Sequence, residues 1–353
     1  MTRPHAAEPD PSDRGGPAQP LLLADGLSKH FPVAGGLLGR SGKVVRAVDG
    51  VSFAIAKGET LGVVGESGCG KSTLARLLIR LIRPDRGSLV LDGDPVDEPH
   101  GLSLNELRRQ VQMVFQDSYA SLNPRLTVVE TLAFAPRAHG VGARDARERS
   151  RELLAKVGLD PDSFAGRYPH ELSGGQRQRV NIARALALQP RLVILDEAVS
   201  ALDKSIEAQV LNMLVDLKGE LGLTYLFISH DLNVVQYLSD RVLVMYLGKV
   251  VEIGEVDEIY GAPLHPYTRA LLSARPSMDP RKRTSEAPIQ GDPPNPIDPP
   301  SGCRFRTRCP FAEEVCARLE PALGGEDHHA VACHMSAPGS GHSKAGQAPG
   351  AAS

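Results

Sequence analysis

Short apolar runs broken by polar turns open the patterned part of this chain. From Leu21 the runs are LLLAD, VVRAV and VSFAIA. Each is too short for a helix and each predicts a strand. The stretch 34–43, AGGLLGRSGK, reads as a loop between the first two. Thr60–Val64 is apolar and β-branched, which predicts a buried strand. A glycine-rich turn and an amphipathic helix over Lys71–Ile82 follow it. Residues 88–115 predict further strands around a short helix at Leu104–Arg109. From 126 to 188 the period becomes helical, with helices near 126–136, 143–157 and 174–188, so this stretch reads as a helical insertion. Strands and helices then alternate again through RLVILD, a helix over 205–219, YLFIS, RVLVMY and KVVEIG. That alternation predicts an α/β fold with a largely parallel sheet covered on both faces.

The remaining segments lack such patterning. Residues 1–20 are rich in Pro, Gly and charge and are expected to be disordered. Residues 276–301 hold eight prolines and predict an extended linker. The end of the chain, 337–353, is rich in Gly, Ala and Ser and is also expected to lack order. The ordered parts are therefore expected at 21–275 and, as a small cysteine-containing extension, at 276–336.

Composition narrows the function. With 353 residues and 41% of them hydrophobic, the chain can bury one large core and carry an appendage. A formal net charge of -2 gives no global reason to expect nucleic-acid binding. No apolar run approaches the ~20 residues needed to span a bilayer. Residues 1–20 lack the apolar segment of a secretory signal. The expectation is a cytosolic protein that reaches a membrane only by docking onto partners. In a reducing compartment the five cysteines are not expected to form disulfides.

Gly65-Glu66-Ser67-Gly68-Cys69-Gly70-Lys71-Ser72 fits the phosphate-loop pattern at every fixed position, between a predicted strand and a predicted helix. Glycines let backbone N–H groups curl around phosphates, and the helix N-terminus adds partial positive charge. Lys71 is expected to reach the β- and γ-phosphates and the Ser72 hydroxyl to coordinate Mg²⁺. A second apolar strand, Leu192–Leu195, delivers Asp196 and Glu197. Asp196 is placed for the Mg²⁺ shell and Glu197 for a general base that polarises the attacking water.

Leu172-Ser173-Gly174-Gly175-Gln176 begins a predicted helix about 100 residues after the phosphate loop and just before the acidic strand. With this LSGGQ marker the chain resembles the ATP-binding cassette (ABC) family over roughly residues 21–275. The resemblance implies a P-loop NTPase cassette. That cassette has a RecA-like core, an antiparallel β subdomain and a helical subdomain at about 126–188. It also assigns the nucleotide site, with Gly65–Thr73 around the phosphates. Phe31 takes the place of the aromatic that stacks on adenine. Gln116 senses Mg²⁺ and the γ-phosphate, Asp203 lies in the loop that communicates across the dimer, and His230 is the switch histidine. Ser173, Gly174, Gly175 and Gln176 would contact ATP held by an opposite subunit, so the implied unit is a head-to-tail cassette dimer. One departure is Ala198, where the family usually has proline; it removes no catalytic group.

Val114–Arg125 (VFQDSYASLNPR) and Pro263–Leu272 (PLHPYTRALL) are similar to the oligopeptide/dipeptide/nickel importer subfamily, and most of all to its F-type ATPase subunit. That likeness implies a paralogous D-type cassette partner and two membrane permeases, with an extracellular solute-binding protein acting indirectly. It places the chain peripherally on the cytoplasmic face of the membrane. The alternatives are a non-transport soluble ABC ATPase and a regulatory cassette that only binds ATP. The four tail cysteines are spaced Cys303-x5-Cys309-x6-Cys316-x16-Cys333. Thiolates suit iron–sulfur clusters or zinc, and the wide spacing lacks the close pairs of zinc sites. The subfamily's tail resembles segments that hold a [4Fe–4S] cluster in some members. A [4Fe–4S] cluster is the expectation here, with zinc or free thiols as alternatives and His328, His329 and His334 as further donors.

Overall fold

A computed structural model describes residues 16, 18–33, 43–275, 294–326 and 328–346 of the chain. The expected disorder of 1–20, the loop at 34–43 and the proline linker thus lie largely outside the described residues. The strands β1 (Leu22–Pro32) and β2 (Val44–Ile55) come first. VVRAV and VSFAIA were expected to be separate strands but form the single β2. The Asp49–Gly50 step looks like a turn in sequence. It is a kink inside the strand, where Gly50 takes φ 70° and donates its N–H to Ser28 Oγ at 2.9 Å. β3 (Thr60–Val64) leads into α1 (Lys71–Leu78). That helix ends before the expected Ile82 because Arg80 turns left-handed at φ 53°. The N–H of Leu81 then returns to the Arg76 carbonyl at 2.9 Å, closing the helix end. Next come β4 (Arg86–Leu91), β5 (Asp94–Pro95), α2 (Leu104–Gln110) and β6 (Val111–Val114).

The stretch read as a helical insertion contains α3 (Val128–Ala138), α4 (Ala143–Lys156), α5 (Pro161–Phe164) and α6 (Gly174–Leu186). Capping explains where two of these start. Thr127 and Glu130 form a reciprocal capping box at α3, and Ser173 and Gln176 form one at α6. The alternation then resumes as β7 (Leu192–Asp196), α7 (Lys204–Leu221), β8 (Thr224–Ile228) and α8 (Leu232–Leu238). β9 (Arg241–Tyr246), β10 (Lys249–Glu255), α9 (Val256–Gly261) and α10 (Pro266–Ser273) follow. The tail adds α11 (Glu314–Arg318), β11 (Gly324–Glu326) and β12 (His329–Val331).

Two compact units result. The first comprises the described residues up to Leu23, Ala54–Thr60 and Leu89–Ile228. In it β6, β7 and β8 run parallel, with Val111 opposite Leu192 and Asp196 opposite Ile228. Every residue of β7 and β8 is buried. Unbroken apolar runs are what a strand covered on both faces requires. Each fully buried Leu, Ile or Phe here contributes about 1.5–3 kcal/mol. Among the described residues, no helix is long and apolar enough to cross a membrane.

The second unit comprises Ala24–Phe53, Leu61–Ser88 and the described residues from Ser229 onward. β3 pairs parallel with β9, β9 antiparallel with β10, and β10 antiparallel with β12, which β11 then joins. The tail, too poor in apolar residues for a core of its own, thus continues the sheet of β3, β9 and β10. Residues 337–346 were expected to lack order; they fold back instead. His342 is buried with Nε2 2.9 Å from the Phe311 carbonyl, and Gly346 N–H donates to Met335 O at 2.9 Å.

The buried carboxylate of Glu252 on β10 organises this join. It accepts the N–H groups of Leu264 at 2.6 Å and His265 at 3.0 Å, and lies 2.7 Å from His329 Nε2. His265 in turn accepts the Tyr267 N–H on Nδ1 at 3.0 Å, which caps α10. Accepting that bond requires Nδ1 to be unprotonated. Burial pushes the His265 pKa down from 6.5 to about 4, partly opposed by the Glu252 charge. A depressed histidine stabilises the fold fully above its unfolded value and loses that contribution as pH falls toward the folded value. Urea denaturation at pH 6.5 and 5.5 checks this. His265→Asn, which can cap but cannot titrate, should lose about 1 kcal/mol less between those pH values than the parent chain.

Candidate functional site

In the second unit the phosphate loop begins at Gly65, directly after β3. Glycine is required at two of its positions. At Gly65 (φ 149°) a Cβ would lie 2.2 Å from Met245 O, and at Gly70 (φ 112°) 2.1 Å from Ala47 O. Gly68 (φ 77°) faces open space. Lys71, with 6% of its surface exposed, donates to the carbonyls of Gly65 at 2.7 Å and Glu66 at 3.0 Å. Cys69 is buried, and burial pushes its thiol pKa up despite Lys71 nearby, so it is a small filler. Its carbonyl accepts the Gly248 N–H at 2.8 Å, tying the loop to the turn after β9. Ser72 and Thr73 begin α1, both half-buried.

Two residues that sequence reasoning missed hold the loop from outside. Tyr267 Oη accepts the Glu66 N–H at 2.8 Å, and Arg308 grips both Glu66 carboxylate oxygens at 2.8 and 3.0 Å. Tyr267 was visible only as part of a subfamily stretch. Arg308 lies 242 residues from Glu66, and no local pattern marks it. Phe31, on β1, is half-buried with Lys29 Nζ 5.7 Å from its ring centroid. His230 is exposed, one residue past buried Ser229, whose Oγ accepts the Asp231 N–H at 3.0 Å.

The first unit carries the acidic residues. Asp196 closes β7 at 3% exposure. Glu197 follows in left-handed backbone at φ 49°, a conformation that costs a non-glycine residue about 1 kcal/mol or more. Its N–H donates to Ile228 O at 2.9 Å, and its carbonyl accepts Ser200 N and Oγ at 3.2 and 2.9 Å. Gln116 Nε2 donates to Glu197 Oε2 at 2.6 Å, so the structure brings these two candidates together. Ala198, in place of the family's proline, is buried.

The LSGGQ helix start lies in the same unit. Ser173 Oγ accepts the Gln176 N–H at 3.3 Å, and Gln176 Oε1 accepts the Ser173 N–H at 2.9 Å. The first N–H groups of a helix have no intrahelical acceptor, so Gly174 and Gly175 present donors at a positive helix end. A Cβ on Gly175 would meet Ile206 Cγ2 at 2.6 Å, which fixes glycine there. Asp203 is exposed at the start of α7 and makes no side-chain cap bond. Nearby, Asp117 Oδ1 accepts the N–H groups of Tyr119 and Ala120, both at 2.9 Å, and Asn181 Nδ2 donates to Ser118 O at 3.0 Å. This holds Tyr119 outward at 60% exposure.

Cys303, Cys309, Cys316 and Cys333 line one cavity of about 10 Å³, which Phe305, Met335 and His342 also face. That space is water-sized. Burial, and then the neighbouring thiolates, push Cys303 up to about 12 and Cys309 up to about 11. Among the described residues, no three His, Cys, Asp or Glu side chains form a group that could hold one metal ion. The histidines expected as spare donors are otherwise engaged. His329 bonds Glu252, His334 Nε2 lies 2.9 Å from Leu319 O, and His328 Nδ1 lies 3.4 Å from Glu326.

The chain is similar to known proteins. The family described as ABC transporter matches residues 48–200, and the oligopeptide/dipeptide transporter C-terminal region matches residues 251–316. A probable peptide ABC transporter ATP-binding protein, y4tS of Sinorhizobium fredii, is 51% identical over 90% of this chain and 90% of its own length. The oligopeptide transport ATP-binding protein AppF of Bacillus subtilis is 52% identical over 89% of this chain and 97% of its own. OppF of Salmonella typhimurium, with the same description, is 50% identical over 89% and 95%. Among solved structures, a cassette titled MJ0796, in a post-hydrolysis state with ADP and Pi, superposes with TM-score 0.58 at 28% identity. It covers 67% of this chain and 98% of its own.

The glycine geometry yields a stability test. Gly70→Ala adds a Cβ against a backbone carbonyl at positive φ and should cost about 2 kcal/mol or more in urea denaturation. Gly68→Ala, also at positive φ but facing open space, should cost only about 1 kcal/mol. Equal costs at both positions would mean that the close approach to Ala47 does not hold the loop.

Proposed function

We propose, from the fact that this chain belongs to the ATP-binding subunits of oligopeptide ABC transporters, that its phosphate loop and acidic strand end serve a Mg-ATP site completed by a second cassette, while its LSGGQ helix start serves the nucleotide of that second cassette. The chain is an ATPase that drives peptide uptake. The observation that carries the site reading is the phosphate loop, whose left-handed glycines and buried Lys71 leave the backbone shaped for an anion.

Roles follow from the family motif that each residue occupies. Phe31 stacks on adenine, and the loop Gly65–Thr73, through its N–H groups other than that of Glu66 and through the Lys71 ammonium, binds the β- and γ-phosphates. Ser72, Asp196 and Gln116 would hold Mg²⁺, which neutralises charge on the phosphates when bound. The buried carboxylate of Asp196 suits that hard cation. Glu197 takes a proton from water as its oxygen bonds the γ-phosphorus and the bond to the β-phosphate oxygen breaks, releasing ADP. The Gln116 bond to Glu197 Oε2 fixes the carboxylate's orientation. His230 contacts the γ-phosphate, while Ser173–Gln176 and Asp203 serve the partner's nucleotide and the dimer contact. The partner is a paralogous D-type cassette. Two permeases dock near Gln116–Arg125, where Tyr119 stands exposed, and hold the chain peripherally on the cytoplasmic face of the membrane. An extracellular binding protein supplies the peptide.

The extension at 276–336 belongs to the same reading. Four thiols on one cavity supply the donor set of a [4Fe–4S] cluster held by Cys303, Cys309, Cys316 and Cys333. Seating it requires the side chains around the 10 Å³ cavity to part. When bound it would act as a structural clip on the tail.

Two experiments test this. Lys71→Ala should abolish ATP binding, whereas Glu197→Gln should keep it and lower turnover ~10²-fold or more in the assembled transporter. Near-normal turnover by Glu197→Gln removes it as the base. For the tail, anaerobically purified chain should be brown with about four irons per chain, and Cys316→Ser should bleach it while ATP binding persists. One zinc per chain moves the site to zinc, and no metal ends both readings.

A further inference from the structure

We propose that Arg308, with Tyr267, is a positioning residue for ATP binding: it neutralises the Glu66 carboxylate of the phosphate loop and turns it out of the nucleotide's path. This rests on reading Gly65–Ser72 as the ATP site. A carboxylate is an awkward residue in a loop built to receive a polyphosphate. Left unpaired, its charge would repel the ligand, and at loop distances under an effective dielectric of ~20 this weakens binding roughly tenfold or more. Here the charge is matched. Both Glu66 oxygens accept from Arg308, at 2.8 and 3.0 Å, and the Arg308 side chain is 6% exposed. A bidentate charge-assisted pair fixes direction as well as charge.

The same clamp holds the loop backbone. Tyr267, fully buried, accepts the Glu66 N–H at 2.8 Å, so that amide is turned toward the clamp. Arg308 also donates to Tyr246 Oη at 3.3 Å. Tyr246, Tyr267 and Phe305 pack ring against ring at 4.6 to 5.4 Å, with Phe305 set between Cys303 and Cys309 in the chain. Nearby, buried Arg304 bonds the carbonyl of Leu247 and the carboxylate of Asp49. The C-terminal extension therefore reaches the phosphate loop through one guanidinium. Its contribution to the reaction is electrostatic, made without touching the nucleotide.

The test is titration of the full-length chain with Mg²⁺ and a fluorescent ATP analogue. Arg308→Ala should weaken binding about tenfold, and the loss should shrink at high salt as the exposed charge is screened. Arg308→Lys, which keeps the charge, should stay within about threefold. Adding Glu66→Gln to Arg308→Ala should restore most of the affinity, because the charge needing compensation is gone. A merely structural role for Arg308 predicts no such rescue. Unchanged affinity in Arg308→Ala, or a loss that Glu66→Gln fails to recover, overturns the proposal. Should Arg308→Ala not fold by circular dichroism, Glu66→Gln alone decides. It should bind at least as tightly as the parent, and weakening beyond about threefold counts against the proposal. Lys71→Ala separates the two readings. If it still binds the analogue, the site assignment itself fails, whatever Arg308 does.

Discussion

A loop that binds phosphate through its backbone amides has to be held in shape chiefly by other contacts, because each amide given an internal partner, as Glu66 N–H is by Tyr267, is lost to the ligand. In this chain the load falls on other contacts. Gly65 and Gly70 bring the loop against the carbonyls of Met245 and Ala47, closer than any side chain allows. Lys71 ties to the Gly65 and Glu66 carbonyls, and the Cys69 carbonyl accepts from Gly248. Arg308 and Tyr267 hold Glu66 from the outside. The join of the extension to β10, through Glu252 and β12, is what keeps Tyr267 and Arg308 in reach.

The LSGGQ segment faces the same constraint and meets it with a cap. Reciprocal bonds between Ser173 and Gln176 fix the helix start, while Gly175 lets α6 approach Ile206 on α7. The helix end is thereby stiff and positively polarised without using its Gly174 and Gly175 donors. A stiff anion site costs little reorganisation when a phosphate arrives, which suits the proposed site shared between two cassettes.

Much of this was legible in the sequence because the chemistry is local. Gly65–Ser72, Ser173–Gln176 and Leu192–Glu197 are contiguous, and each sits beside a strand or helix whose period is plain. The α/β alternation was readable for the same reason. What escaped depends on distant partners. The kink at Gly50 mimics a turn unless the Ser28 hydroxyl that takes its N–H is known. Arg308 carries no local signal, being 242 residues from the carboxylate it neutralises. Residues 337–346 look like a disordered Gly/Ser tail, yet His342 is buried against the Phe311 carbonyl. His329 looks like a spare metal donor until Glu252 is found beside it.

The central claim is that neither cassette completes its own nucleotide site. ATP turnover by this chain, measured while the second cassette subunit is titrated in at fixed ATP, tests it most directly. The account predicts a negligible rate alone, rising to a plateau at one partner per chain. The rise should be abolished when the partner's own LSGGQ serine is replaced by arginine. A full rate from the isolated chain, unchanged by dilution or by the partner, would contradict it.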